Sequence, residues 1–115
     1  MLTIKRVLSG DGLSLPLAAG EMACAARADD GALLGFVVFR MSDDLSAVLL
    51  LRLWTRDDDF GVADGLVRSA AAGARAVARE LRITGVDAAL TDYAAHSGLF
   101  RAGRVEIANF FGTCC

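Results

Sequence analysis

The stretch Ala47-Val48-Leu49-Leu50-Leu51-Arg52-Leu53-Trp54-Thr55, followed by Arg56-Asp57-Asp58-Asp59-Phe60 and then Gly61-Val62-Ala63-Asp64-Gly65-Leu66-Val67, decides the fold. Its first part is apolar on both faces except at Arg52, as a central strand is. Strict alternation puts Leu49, Leu51 and Leu53 on one side and Leu50, Arg52 and Trp54 on the other. A charged connector follows, and then a helical spacing. Leu66, Ala70, Ala74, Val77/Ala78 and Leu81 share one side of a helix over Gly61 to Arg82, with Arg68, Arg75, Arg79 and Arg82 opposite. Arginines in the last turns suit the negative end of the helix dipole. Gly65 and Gly73 weaken that helix by about 1 kcal/mol each relative to alanine, and Gly85 marks a stop.

Upstream, Asp29-Asp30-Gly31 is a hairpin turn between Met22–Ala28 and Ala32–Met41, because aspartate followed by glycine supplies the positive-φ positions such turns need. Leu33-Leu34-Gly35-Phe36-Val37-Val38-Phe39 reads as a buried strand, and Ser42-Asp43-Asp44 as the turn into the strand at Ala47. Three antiparallel strands in series make a meander. Thr3–Val7 reads as a further strand, while Gly10, Gly12, Pro16 and Gly20 punctuate Ser9–Gly20 too densely for a long helix. Downstream, Val86–Thr91 reads as a strand parallel to the one before the helix, Tyr93–Ala102 as a short helix closing at Gly103, and Val105–Phe111 as a last strand. The sum is an α+β, or mixed α/β, fold with helices packed on a strongly bent mixed sheet.

With 115 residues the chain, 1–115, is read as a single domain. Hydrophobic residues make up 55% and charged residues 23%, which excludes intrinsic disorder. A net charge of −2 argues against a nucleic-acid partner bound through its phosphates. No apolar run reaches the roughly 18 to 20 residues of a membrane helix, and Asp11 breaks the apolar stretch a secretory signal would need. Cys24, Cys114 and Cys115 are an odd set with two adjacent, which is no disulfide framework and fits a reducing cytoplasm. No metal-ligand spacing is present. Basic charge that is almost all arginine, with many alanines, has the look of a GC-biased coding sequence.

The order of elements resembles the GCN5-related N-acetyltransferase (GNAT) fold. Gly31-Ala32-Leu33-Leu34-Gly35-Phe36-Val37-Val38 looks like the family's third strand. Ala47–Thr55 with Gly61–Val67 looks like its fourth strand, pyrophosphate loop and central helix. Asp92–Gly103 with Arg104-Val105-Glu106-Ile107 looks like its last helix and following strand. The likeness spans about Gly31 to Phe111, and extends to small GNAT-like bacterial proteins that end in a Phe-Phe pair followed by cysteines. The piece between the first two strands is shorter than the family's usual two helices.

The resemblance implies acetyl transfer from acetyl-CoA to an amine, with a cofactor site at Leu53, Trp54, Thr55, Gly61, Val62, Ala63, Asp64 and Gly65. In the family, backbone N–H groups at the start of the central helix bind the coenzyme A pyrophosphate. Gly61-Val62-Ala63 fills the Gly-x-Gly/Ala part of its loop pattern, but the Gln/Arg position holds Asp58, between Asp57 and Asp59. The family's acid tyrosine aligns with Phe100, or with Leu99, and the fourth strand carries no carboxylate. Those departures give an alternative: a GNAT-fold binding or assembly module that has lost catalysis and cofactor.

Tyr93 and His96, the chain's one tyrosine and one histidine, are the candidates for acid–base chemistry; the structural alternative is a pair of helix-start residues. Arg52 should meet either a substrate carboxylate or an acidic partner among Asp43, Asp44 and Asp87. The Asp57–Asp59 run reads as a solvated loop that also favours a helix N-terminus, and Cys114-Cys115 as a tail. The surplus of apolar residues predicts a homodimer, anchored by Phe110 and Phe111 unless both rings fill the chain's own core.

Overall fold

The computed structural model describes residues 2–7, 17–84 and 87–111. Most of Ser9–Gly20, the stop at Gly85 and the Cys114-Cys115 tail lie outside the described residues. The elements are β1 (Thr3–Val7), β2 (Met22–Arg27), β3 (Leu33–Met41), β4 (Ala47–Thr55), α1 (Phe60–Ala74), β5 (Glu80–Ile83), α2 (Ala88–Ser97), β6 (Arg104–Glu106) and α3 (Ile107–Phe111), with one 3-10 turn at Arg56–Asp58. They form a six-stranded sheet in sequence order, antiparallel except where β5 runs parallel to β4. The α+β class and the meander expected from the sequence are present, and so is a β–α–β crossover, although its return strand is Glu80–Ile83 rather than Val86–Thr91.

The β2–β3 turn closes as its residues dictate. Gly31 sits at φ +87°, and the Asp30 carboxylate accepts from Ala32 N at 3.0 Å. Gly35 permits a close approach: a Cβ there would lie 2.7 Å from the Trp54 carbonyl oxygen and 3.1 Å from Leu66. The helix α1 lays Leu66, Val67, Ala70, Ala71 and Ala74 on a sheet face formed by Cys24, Ala26, Val37, Phe39, Val48 and Leu50. Small side chains on the helix let its axis come close to the strands.

The strand β4 departs from strict alternation. Val38 pairs with Arg52 and Phe39 with Leu50, so Leu51 is an extra residue in a β-bulge. The face therefore changes parity: Leu50 and Leu53 both pack into the core under α1, while Arg52 and Trp54 turn to the other side. Leu49 and Leu53 do not share a face, as strict period two would have had it.

The second half of the chain departs from the sequence reading at several boundaries. The central helix ends at Ala74, not Arg82. Leu81 satisfies the helical stripe and equally a period of two, and tertiary pairing decides between them. Arg79 N and Glu80 N both donate to Ser46 O, Ala47–Leu50 pairs with Glu80–Ile83, and Val77, which the stripe would bury, is exposed. Arg79 and Arg82 thus lie beyond the helix and do not serve its dipole. No strand occupies the described part of Val86–Thr91; Asp87 caps a helix there, accepting from Leu90 N at 3.0 Å, and Gly98 at φ +72° ends it. That helix starts at Ala88 rather than Tyr93 and stops at Ser97 rather than Ala102. The last strand is only Arg104–Glu106, after which Ile107–Phe111 turns helical and buries Ile107 and Phe110.

Candidate functional site

Strands β4 and β5 part company halfway along β4. Their pairing ends at Leu50↔Ile83, whereas β4 runs on to Thr55 and delivers the chain into α1. A crossover between parallel strands leaves such a crevice at their carboxyl ends, beside a helix N-terminus. A cleft of about 220 Å³ lies there, walled by Leu53 and Thr55 of β4, Phe60 and Ala63 of α1, and Tyr93 and His96 of α2. Asp58, Asp59, Ala89 and Asp92 complete it.

The acidic loop is folded onto the start of α1. Asp59 is the N-cap: its carboxylate accepts from Val62 N at 3.2 Å, and its carbonyl oxygen from Ala63 N at 3.0 Å. Asp57 and Asp58 hold φ values of 60° and 51°, left-handed positions that aspartate tolerates better than most residues. The helix end that attracts anions is thus already supplied with the chain's own carboxylate.

Behind the cleft a polar network ties three helices together. The Tyr93 hydroxyl donates to Asp64 Oδ1 at 2.8 Å, and Arg68 Nε donates to Asp64 Oδ2 at 2.7 Å. Arg68 Nη1 also donates to the Phe110 carbonyl oxygen at 3.2 Å, with the guanidinium 4.5 Å from the Phe110 ring centre. Burial, with the Asp64 carboxylate second, pushes the Tyr93 phenol far above its usual range. Aromatic rings run on from the cleft: His96 lies 4.2 Å from Phe60, Phe60 stacks on Tyr93 at 5.4 Å, and Tyr93 meets Phe100 edge-on.

Of the residues singled out by sequence, the cleft gathers Leu53, Thr55, Ala63, Tyr93 and His96. Trp54 faces the opposite side of the sheet, stacked on Phe36. Gly61 and Val62 lie in the first turn of α1, Asp64 is engaged by Tyr93 and Arg68, and Gly65 lies under Ile4. Phe60, Ala89 and Asp92 were not anticipated; the Asp87-Ala88-Ala89-Leu90 cap signature was the clue that places the last two on a helix. The position aligned with the family's acid tyrosine, Phe100, lies past the end of α2, and the tyrosine on that helix is Tyr93. Arg52 pairs with Glu21 at 3.7 Å, an acidic partner that the sequence reading did not name. Phe110 is buried in the core and anchors no interface, while Phe111 is partly buried with Arg75 over its ring.

No family model matches the sequence, and no curated protein matches it. Solved structures do. A protein from Exiguobacterium sp. 255-15 proposed to be an acetyltransferase superposes with a TM-score of 0.70 at 13% identity, over 98% of each chain. YhhK from Escherichia coli, a proposed N-acetyltransferase with coenzyme A bound, gives 0.62 at 20% identity, over 92% of this chain and 97% of that one. Nourseothricin acetyltransferase gives 0.53 at 24% identity, over 82% of this chain; the match spans 66% of that protein's length.

Proposed function

With the chain folded as a GNAT-superfamily protein, we propose that it takes an acyl-CoA, acetyl-CoA foremost, as donor in the β4–β5 cleft and transfers the acyl group to an amine. The observation that supports this most is the parting of β4 from β5 at Leu50↔Ile83, directly beside the N-terminus of α1.

The residues present fit the donor unevenly. Leu53, Phe60, Ala63 and Ala89 offer apolar and small walls to a slender arm. At the start of α1 the Asp59 carboxylate already accepts from Val62 N and competes, by its charge, with a diphosphate. Each nearby carboxylate opposes the diphosphate by about 1 kcal/mol or more in a partly screened site. Donor binding is therefore weak. Once bound, the donor would supply an activated thioester.

The chain's own part is positioning and proton transfer. Backbone N–H groups of β4 beyond Leu50 would polarise the acyl carbonyl. His96, on the cleft wall, would take the proton that the amine loses as the new C–N bond forms, and pass it to the sulfur as the C–S bond breaks. Tyr93 serves as a strut, its hydroxyl committed to Asp64. The test is release of free thiol from acetyl-CoA with a panel of amines. Slow turnover that falls at least roughly tenfold in His96→Ala supports this reading; an unchanged rate removes His96 from it.

One observation favours a second reading. The Asp59 cap with Asp57 and Asp58 beside it suits a scaffold that no longer carries coenzyme A and acts in binding or assembly, as a homodimer. Absence of any thiol release, with a light-scattering mass of twice the 12.0 kDa chain, would favour it.

A further inference from the structure

A second cavity, of about 770 Å³, opens at the other end of β4. It touches Ser46, the residue before the strand, whereas the cleft touches Thr55, its last residue. The length of β4 separates the two, roughly 25–30 Å, and they share no lining residue.

Arg75, Arg79 and Arg82 all line this cavity. The main chain of Arg79 is clamped on both sides: its N donates to Ser46 O at 2.7 Å, and its O accepts from Ile107 N at 2.8 Å. Its guanidinium has no acidic partner among the described residues. Arg75 is held over the Phe111 ring, 4.7 Å from the ring centre. Arg82 is taken up by Glu80. Arg75 and Arg79 thus face one hollow without a counter-ion among the described residues. Two guanidinium groups on one concave wall favour a doubly charged, tetrahedral oxyanion.

The β5–β6 wall carries the opposite charge. Glu80 and Glu106 are direct cross-strand partners. Arg82 neutralises Glu80, and Glu106 is left with no donor among the described residues. That wall repels an anionic group and accepts hydrogen bonds from hydroxyls. The described residues lining the cavity include no aromatic ring on which a base could stack. We propose that the cavity binds a phosphate ester of a small polyol, such as a sugar phosphate. The phosphate lies at Arg75 and Arg79, and the hydroxyls reach Glu106. This site is separate from the donor cleft and does not rest on the acyl-transfer reading.

Calorimetric titration of the whole chain with ribose 5-phosphate, ribose and inorganic phosphate tests the proposal. Saturable binding is expected for ribose 5-phosphate, with ribose and inorganic phosphate each weaker by roughly tenfold or more. Arg79→Gln should weaken the ester by roughly tenfold. Arg79 is exposed, so the fold should survive the change. Should circular dichroism show otherwise, Arg79→Lys keeps the charge, loses the planar fork and should weaken binding too. Glu106→Ala should leave inorganic phosphate no weaker and shrink the preference for the ester. No binding of ribose 5-phosphate overturns the proposal. So does inorganic phosphate binding as tightly as the ester, which marks a plain anion patch. Unchanged affinity in Arg79→Gln overturns it as well, and so does displacement of the ester by coenzyme A, which would put it in the cleft. A chain that binds the ester but not coenzyme A loses only the donor site.

Discussion

The Tyr93 hydroxyl donates to Asp64 Oδ1 at 2.8 Å, locking the cleft wall on α2 to the second turn of α1. Asp64 is held in turn by Arg68, whose guanidinium reaches the Phe110 carbonyl, so the cleft's rear is braced from the C-terminal helix as well.

Because Tyr93 is the only tyrosine, its ionisation can be read alone. Burial and Asp64 raise its pKa, so the neutral phenol is favoured in the folded state. The sign follows: this contribution is complete below the free phenol's pKa of about 10 and is lost as pH rises beyond it. The phenolate absorbance band should stay absent at the usual pH and emerge together with alkaline unfolding. In Asp64→Ala it should emerge at lower pH, with a stability loss of about 1–3 kcal/mol. A phenolate forming reversibly near pH 10 in the folded wild type would contradict this.

Two glycines should respond in opposite ways to alanine. At Gly35 the new Cβ meets the Trp54 carbonyl oxygen at 2.7 Å, a backbone atom that cannot step aside, so Gly35→Ala should cost about 1–3 kcal/mol. At Gly73 the nearest atom is Nη2 of Arg6, the tip of a flexible side chain. Gly73→Ala should therefore be neutral or should stabilise α1 by up to about 1 kcal/mol. Chemical denaturation of the two variants decides; a stable Gly35→Ala would mean β3 and β4 are not so close.

The β3–β4 turn should carry an acid limit. Hydrogen bonds from Ser46 side chain and backbone, then from the Ser42 hydroxyl, hold the Asp44 pKa down at about 2. A depressed carboxylate pKa stabilises the fold above the unfolded value of 3.8, and that contribution disappears as pH falls toward about 2. Thermal melts between pH 4 and 2 should fall more steeply in wild type than in Asp44→Ala. Parallel slopes would show that the turn carries no such linkage.

Much of the fold was legible because the meander announces itself locally. Asp29-Asp30-Gly31 sets its turn, and Leu33–Phe39 and Ala47–Thr55 are buried strands on sight. The second half was harder, since its short elements fit two periods at once. Leu81 ends a helical stripe and begins a strand, and only pairing with Val48 resolves it. The bulge at Leu51 was invisible for a related reason: an extra residue in one strand leaves no mark in a run of leucines. At the site, Tyr93 and His96 were chosen for their chemistry, and the structure adds that they share a cleft with Leu53 and Thr55. That Glu21 pairs with Arg52 was not legible, because the two are distant in sequence and near only through the sheet.

Calorimetric titration with coenzyme A tests the donor site most directly, in wild type, Asp58→Arg and Asp59→Asn. Asparagine keeps the N-cap hydrogen bond to Val62 N and removes only the charge, so the fold is preserved. Weak saturable binding is expected for wild type, tightened by roughly tenfold in each variant, which corresponds to about 1.4 kcal/mol. Absence of binding in all three, or variants that bind no more tightly than wild type, would contradict a donor diphosphate seated at the start of α1.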